Sequence, residues 1–182
     1  MEFIPTDIPD VIHIKPDVFG DDRGFFMETY REELFAKHGI RKRFVQDNLS
    51  MSKKGTIRGL HYQIVKPQAK LVMVTRGRIL DVAVDIRRSS ETFGQSVQVE
   101  LSGDNRELLY IPEGFAHGFE VLSEEALFMY KCGDYYYPQG ERGIAWNDES
   151  LEIKWTTPDP IISGKDRNNP KLKDVKKENL FN

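Results

Sequence analysis

The amino-acid sequence predicts a mainly β protein, a jelly roll or double-stranded β-helix with a few short helices. Apolar and polar residues alternate with a period of two over much of the chain, as half-buried strands require. Gly, Pro, Asn and Asp separate these runs at short intervals, as at 102–105 and 111–114, which is typical of sandwiches and barrels. No internal repeat, low-complexity stretch or linker divides the 182 residues, so we expect one domain over residues 1–182. Such a fold leaves a tapered cavity between its sheets.

The clearest strand signals lie in the middle of the chain. Apolar residues 71–74 lead into Arg76-Gly77-Arg78, and the alternating run 79–86 follows. We interpret this pair as a β-hairpin, because Gly77 can supply the positive φ that a tight turn needs. Further strands are expected at 96–101, 107–111, 115–122 and 126–132.

Helical signals are few. Residues 30–38 predict one helix, with Thr29 as its N-cap and Gly39 at its end. A second short helix is expected near residues 170–177. The charged tail 171–178 is most simply a solvated surface segment.

Composition restricts the class of protein. With 39% apolar and 30% charged residues, the chain is expected to be soluble and globular. A net charge of −3 does not indicate a nucleic-acid partner, and no apolar run approaches the length of a membrane span. The N-terminus shows no secretory signal, and the only cysteine, Cys132, excludes an internal disulfide and a cysteine-cluster metal site. We therefore expect a cytoplasmic protein in which Cys132 is a small buried hydrophobe.

One histidine stands out as a candidate base. His61 lies in Arg58-Gly59-Leu60-His61-Tyr62-Gln63, which we interpret as a strand. An imidazole titrates near neutral pH and can take a proton from a weak carbon acid. The nearby cations Arg58 and Lys70 suggest an anionic substrate and a developing oxyanion. The plainer alternative is a half-buried strand histidine that is bonded to a neighbour.

The other histidines do not indicate a metal centre. The chain has four histidines and no His-x-His pair, so we expect no bound catalytic metal. His13 and His38 lie in polar contexts. His117 lies among small and aromatic residues in 114–119, where it either faces a ligand or is a hydrogen-bonded core histidine.

Several other polar side chains have both a functional and a structural interpretation. Arg23 is either a phosphate clamp or an exposed turn cation, and Lys70 is either a charge beside an enolate or a strand-end lysine. Tyr130 is either a proton donor or a packed tyrosine with a bonded hydroxyl. The polar pair Gln46 and Asn48 either hydrogen-bonds a ligand or forms a polar strand edge. The aromatic cluster at 135–137 either stacks on a nucleobase or anchors its loop.

Taken together, these segments resemble the dTDP-4-dehydrorhamnose 3,5-epimerase family. The resemblance runs from about residue 3 to residue 172, and its order and spacing are more specific than any single motif. The matching stretches are Asp22-Arg23-Gly24-Phe25-Phe26, Phe44-Val45-Gln46-Asp47-Asn48, Arg58-Gly59-Leu60-His61-Tyr62-Gln63, Lys70-Leu71-Val72, 81–87, 111–119, Tyr130-Lys131-Cys132, Glu141-Arg142-Gly143-Ile144, Trp146-Asn147-Asp148 and Ser163-Gly164-Lys165-Asp166.

The resemblance implies a metal-free homodimer with a cupin-like jelly-roll core, no cofactor and a dTDP-sugar substrate. It implies that His61 is the general base, that Asp166 pairs with it, that Tyr130 donates a proton on the opposite face and that Lys70 lies beside the C4 oxygen. Ala69 departs from the family, since many relatives have Gly before the lysine. The other implied substrate contacts are Arg23, Phe26, Glu28, Gln46, Asn48, Arg58, His117, Tyr136, Glu141 and Lys165.

Three functions follow as alternatives. The first is epimerisation at C3 and C5 of dTDP-4-keto-6-deoxyglucose in dTDP-L-rhamnose biosynthesis, with a variant that acts at C3 or C5 only. The second is a metal-dependent cupin, such as an isomerase or dioxygenase. The third is a non-catalytic sugar- or nucleotide-binding jelly roll.

Overall fold

Thirteen strands dominate the structure, which is a computed structural model that describes residues 1–182. Two short α-helices are present, α1 at Glu32–Lys37 and α2 at Gly164–Arg167, with 3₁₀ turns at Pro138–Gly140, Glu149–Leu151, Leu172–Asp174 and Lys177–Asn179. The strands are β1 Glu2–Pro5, β2 Ile12–Lys15, β3 Val18–Asp21, β4 Gly24–Met27, β5 Gln46–Lys53, β6 Ile57–Gln63, β7 Lys70–Arg76, β8 Arg78–Asp85, β9 Ser96–Ser102, β10 Leu108–Ile111, β11 Phe115–Val121, β12 Glu125–Cys132 and β13 Glu141–Gly143.

Two antiparallel sheets pack against each other. One sheet has six strands in the order β1-β2-β10-β7-β12-β5, and the other has five in the order β13-β6-β11-β8-β9. Strands β3 and β4 form a separate hairpin. This arrangement confirms the predicted mainly β jelly roll with a few short helices.

The principal core lies between the sheets. It contains 15 buried residues, among them Val72 and Val74 of β7 and Phe119 of β11. Alternate residues of these strands point to the same face, so Leu71 and Met73 point away from this core. Each fully buried aliphatic or aromatic side chain contributes roughly 1.5–3 kcal/mol relative to exposure, which makes this layer the main source of stability.

Each sheet also has a covered outer face. Phe35 of α1 packs on the outside of the six-stranded sheet together with Leu71 and Met73. The C-terminal part of the chain covers the five-stranded sheet, where Leu151 and Leu172 bury against that face. Strands that are buried on both faces have nearly continuous apolar sequences, which explains the run at 71–74. No helix in the structure is long and apolar enough to cross a bilayer.

The predicted hairpin around Gly77 is wrong. Strands β7 and β8 do occur, but β7 pairs with β10 and β12, whereas β8 pairs with β11 and β9. Gly77 has the expected positive φ of 83°, yet its turn carries the chain from one sheet to the other. A turn residue reports local backbone geometry and does not identify the strand's partner.

The helix predictions need two corrections. Helix α1 begins at Glu32 after Arg31, so Thr29 is not its cap, and no side chain caps the helix. The ring of Tyr30 instead packs on Phe35 and so belongs to the extended lead-in. Near residues 170–177 only short 3₁₀ turns occur, while α2 was not predicted. The four residues of α2 are too few to show a helical period.

Several short strands were also missed. Among them are β1, β2 and β3 in the N-terminal part of the chain and β13 beside β6. Each has only three or four residues, which is too short for alternation to be recognised.

We expect Gly77→Ala to lower the free energy of unfolding by about 3 kcal/mol or more, because it combines strain at positive φ with a steric clash. A Cβ at this position would lie 2.1 Å from the carbonyl oxygen of Glu125. Gly39→Ala is the matched control, since Gly39 has a φ of 88° and nothing within 4 Å of the added carbon. The control should lose only about 1 kcal/mol. Urea unfolding of both variants measures the difference, and equal losses would contradict the clash.

Candidate active site

A cavity of about 610 Å³ opens between the two sheets. A smaller polar hollow of about 330 Å³ adjoins it. His61, Lys70, Tyr130 and Glu141 line both spaces and therefore mark their junction. The sizes together suit a ligand of several rings, with its reacting part at the junction.

His61 pairs with a carboxylate from the far end of the chain. Its Nε2 lies 2.5 Å from Oδ1 of Asp166, although the two residues are 105 positions apart. A carboxylate only accepts hydrogen bonds, so Nε2 carries the proton and Nδ1 is the basic nitrogen. Burial opposes ionisation of Asp166, but the hydrogen bond and charge interaction with His61, together with the hydrogen bonds to Gly59 and Ser163, outweigh burial and lower the pKa of this carboxyl. The pair is thus a base with an ionised orienting group.

A local irregularity of β6 puts His61 on the cavity wall. Residues 58–61 of β6 lie opposite residues 117–119 of β11, so β6 has one residue more than its partner. This is a β-bulge. In a regular strand, residues three apart point to opposite faces, whereas here Arg58 and His61 both line the cavity.

Two glycines allow the strands to meet at this bulge. A Cβ on Gly59 would lie 2.6 Å from the Cα of Gly118, and a Cβ on Gly118 would lie 2.6 Å from the carbonyl oxygen of Arg58. The backbone N–H of Gly59 also donates a hydrogen bond of 3.4 Å to Oδ2 of Asp166. The bulge therefore positions both the base and its carboxylate partner.

A second polar chain runs through the interior from Lys70. Its Nζ lies 3.5 Å from Nδ1 of His117, whose Nε2 lies 3.0 Å from both carboxylate oxygens of Asp81. Burial lowers the pKa of His117, so this ring is neutral near pH 7 and donates from Nε2 to Asp81 while Nδ1 accepts from Lys70. Burial also lowers the pKa of Lys70. The arrangement fixes the direction of the ammonium group.

Tyr130 lies on the opposite wall. It comes from β12 of the six-stranded sheet, whereas His61 comes from β6 of the five-stranded sheet. Its ring packs against Phe128 with 5.3 Å between centroids. Burial raises the pKa of its phenol, which therefore keeps its proton at neutral pH. Cys132 follows on the same face and is 1% exposed, as a small core residue.

Glu141 connects residues at the rim of the site through hydrogen bonds. Its Oε2 accepts hydrogen bonds from Nζ of Lys165 at 2.6 Å and from the hydroxyl of Tyr136 at 2.7 Å. Burial opposes ionisation of Glu141, but the Lys165 and Tyr136 donors lower its pKa overall. This carboxylate links β13 to α2 and to the aromatic loop.

The adjoining hollow is lined by amides. Nε2 of Gln46 donates to Oδ1 of Asn48 at 3.2 Å, and Oε1 of Gln46 accepts from the backbone N–H of Tyr136 at 2.9 Å. Amide groups of this kind can hydrogen-bond a heterocyclic base, and the ring of Tyr136 beside them can stack on it.

Three predicted substrate contacts lie elsewhere. Arg23, Phe26 and Glu28 line neither the cavity nor the hollow of this chain. The Arg23 side chain is 90% exposed and pairs with Asp21, and Phe26 is 69% exposed on the β3–β4 hairpin. Glu28 pairs with Arg31 at 3.1 Å. Within one chain these residues lie away from the cavity, and their contact with the substrate stays a prediction.

The sequence interpretation also missed residues that the structure brings to the site. Asp81 was not singled out, although a charged residue within the apolar run 79–86 is a recognisable signal. Ser52 accepts a 2.9 Å hydrogen bond from Nε of Arg58 and so orients that cation. Ile161 and Ile162 form an apolar wall, and nothing in their sequence distinguishes them.

The arrangement suits proton transfer at carbon. A base on one wall and a phenol on the other can remove a proton from one face of a ring and return it to the opposite face. An ammonium that lines the same cavity can stabilise the oxyanion that develops on an adjacent carbonyl. The structure contains no cluster of three or more His, Cys, Asp or Glu side chains placed to hold a metal ion.

Comparison with known proteins gives the family. Residues 5–174 match the sequence model described as dTDP-4-dehydrorhamnose 3,5-epimerase. An enzyme of that name from Shigella flexneri is 53% identical over 177 residues, which cover 96% of this chain and 98% of the relative. Another, from Methanothermobacter thermautotrophicus, is 52% identical and covers 91% of each chain.

Solved structures agree with the sequence matches. The epimerase from Legionella pneumophila in complex with dTDP-4-keto-L-rhamnose has a TM-score of 0.97 and 47% identity, with coverage of 99% of this chain and 97% of the other. A 3′-monoepimerase from Streptomyces bikiniensis in complex with dTDP-quinovose has a TM-score of 0.88 and 32% identity, with coverage of 93% and 87%. By its sequence over nearly its whole length and by its fold, this chain belongs to the dTDP-4-dehydrorhamnose 3,5-epimerase family.

Proposed function

We propose that the protein converts dTDP-4-keto-6-deoxyglucose to dTDP-4-keto-L-rhamnose by inverting C3 and C5, as a step of dTDP-L-rhamnose biosynthesis. One observation carries the assignment: His61, paired with Asp166, lines the same cavity as Tyr130 of the opposite sheet and Lys70. The family match supports the choice of substrate.

The chemistry follows from the C4 ketone. The ketone acidifies the protons on C3 and C5, so His61 can take one of them through Nδ1. The electron pair of the broken C–H bond moves into an enolate, and its charge on the C4 oxygen is stabilised by the Lys70 ammonium. Asp166 stabilises the imidazolium that forms.

Inversion requires a proton from the other face. The phenol of Tyr130 supplies it to the carbanion carbon from the six-stranded sheet, and solvent then restores the phenol and removes the proton of His61. Repetition at the second carbon gives the doubly inverted sugar. Each transfer uses side chains that line the cavity.

The anionic nucleotide portion fits the rim and the hollow. We place the diphosphate near the cations Arg58 and Lys165, and the thymine near Tyr136, Gln46 and Asn48. His117 and Glu141 hold Lys70 and Lys165 in position through the contacts already described. An enzyme of this kind, with the free thiol Cys132, suits a reducing cytoplasm.

A homodimer accounts for the residues that lie outside the cavity. The β3–β4 hairpin exposes the aromatic rings of Phe19, Phe25 and Phe26 by 55% or more, which is costly for an isolated chain in water. The edge strand β5 likewise exposes Leu49 and Met51. In the dimer we propose, these surfaces are buried and the hairpin places Arg23, Phe26 and Glu28 at the rim of the partner's cavity.

The central test is turnover in heavy water followed by proton NMR. The wild-type protein should lose the C3 and C5 proton signals of dTDP-4-keto-6-deoxyglucose as the sugar turns over. His61→Asn should lower the exchange rate by about 10³-fold, because the general base is removed, while calorimetry should show that dTDP still binds. Retention of both signals by the wild type would sink the proposed activity, and exchange of only one would reduce it to a monoepimerase.

The pH dependence of kcat/KM should show that the reaction needs the charged form of Lys70. Burial lowers the pKa of Lys70, so its charge, and with it the activity, is lost as pH rises through that lowered pKa, earlier than for an exposed lysine. Lys70→Arg keeps a charge at all accessible pH and should move the alkaline limb to higher pH, although its rate falls. Tyr130→Phe is the control, because burial raises the pKa of that phenol and its removal should leave the limb in place. An unmoved limb in the arginine variant would rule out Lys70 as its origin.

Complementation tests the shared site. Arg23→Ala and His61→Asn should each be nearly inactive at low substrate, since each lacks one part of every site. After the two variants are unfolded together and refolded, random pairing makes about half of the dimers mixed, and one of the two sites in each mixed dimer has both Arg23 and His61. About a quarter of wild-type activity should therefore return. No recovery, with mixed dimers verified by mass spectrometry, would show that Arg23 and His61 do not act in one site across the interface.

A further inference from the structure

One fully buried carboxylate takes no part in the chemistry above. Glu120 of β11 is 0% exposed and points away from the cavity, on the side covered by the C-terminal part of the chain. Its two oxygens accept hydrogen bonds from the backbone N–H and hydroxyl of Thr156 at 2.7 and 2.8 Å, and of Thr157 at 2.7 and 2.5 Å. Four neutral donors thus bind this carboxylate.

Burial of a carboxylate in a protein core costs free energy. Removal of its hydration is costly even when hydrogen bonds replace it, and an apolar side chain of similar volume usually stabilises a core at least as well. What four hydrogen bonds provide is a fixed position for the segment that donates them.

The segment runs from Glu120 directly to the active site. After Thr157, the prolines at 158 and 160 restrict the backbone. Ile161 then forms a β-bridge with Thr56, just before β6: its N–H donates to the carbonyl of Gly55 at 2.8 Å and its carbonyl accepts from the N–H of Ile57 at 3.1 Å. Residues 161–163, 165 and 166 line the cavity.

The segment ends at the carboxylate that orients the base. Ser163 caps α2 by accepting from the N–H of Asp166 at 3.1 Å, and Asp166 reaches His61. His61 lies on β6, which pairs with β11, the strand that carries Glu120. One pair of strands therefore holds the base directly and the partner of the base through Glu120.

We propose that Glu120 is a positioning residue for the proposed epimerisation: by anchoring residues 156–157 it sets the place of Asp166 relative to His61. The inference rests on the proposed function for its kinetic readout. It assigns Glu120 no contact with substrate. Its effect on the proton-transfer step passes through Asp166.

The test is a double-mutant cycle. In Glu120→Gln, an amide group faces the donors of residues 156–157, so the segment shifts and kcat should fall about tenfold, while KM for the dTDP-sugar stays within about twofold. In an Asp166→Asn background the same change should alter kcat by less than about twofold, because its only route to the chemistry is already removed. Thr157→Val, which removes one hydrogen bond and keeps the carboxylate, should fold readily and give a smaller loss of kcat in the same direction.

Asp85→Asn is the matched structural control. Asp85 is also 0% exposed and also accepts bonds from hydroxyls, those of Ser90 and Thr92, but it lies outside the cavity lining. This variant should lower the Tm and leave kcat unchanged. An unchanged kcat in both Glu120→Gln and Thr157→Val, or an equal loss from Glu120→Gln in the Asp166→Asn background, would overturn the inference.

A spectroscopic readout separates this inference from the proposed function. The Nε2 proton of His61, held by Asp166, should give a downfield NMR resonance that disappears in His61→Asn. It should move or broaden in Glu120→Gln and remain in Asp85→Asn, whether or not the sugar is turned over. An inactive wild type would sink the proposed function alone, whereas an unmoved resonance in Glu120→Gln would sink the positioning role.

Discussion

The contact between His61 and Asp166 is the constraint on which the site depends. Because the two residues are 105 positions apart, the chain after β13 must return across the outside of the five-stranded sheet. Burial of Leu151 and Leu172 on that face supplies the driving force, and the buried carboxylate of Asp148 fixes the path by accepting from the N–H of Leu172 at 2.7 Å. The C-terminal layer thus stabilises the sheet and completes the site.

The protonation state of each group in the site follows from its burial and from the hydrogen-bond donors around it. Inside the cavity, burial moves Lys70 and His117 to lower pKa and Tyr130 to higher pKa, in each case toward the neutral form. The carboxylates Asp166 and Glu141 have enough donors to overcome burial, and their pKa values fall. Donors around the acids therefore keep them ionised, while burial keeps the phenol of Tyr130 and the ring of His117 neutral.

Alternation and turn residues were sufficient to predict the class of fold and most central strands, because these strands bury at least one face. They did not predict which strands pair, so the turn at Gly77 was assigned to a hairpin although it joins two sheets. The site was affected in the same way. A regular strand would put Arg58 and His61 on opposite faces, and only the bulge opposite 117–119 brings them together. Such a bulge depends on tertiary pairing and leaves no period in the sequence.

Strand β11 shows why one polar residue was recognised and another was not. All seven of its residues are buried, since β6 and β8 flank it and both sheet faces are covered. His117 and Glu120 therefore both need partners inside the protein, on opposite faces. The small residues around His117 suggested a ligand as one of two alternatives, whereas nothing in the sequence singled out Glu120. Once both faces of a central strand are known to be covered, a charged residue in it needs hydrogen-bond partners that another part of the chain must supply, as Thr156 and Thr157 do for Glu120.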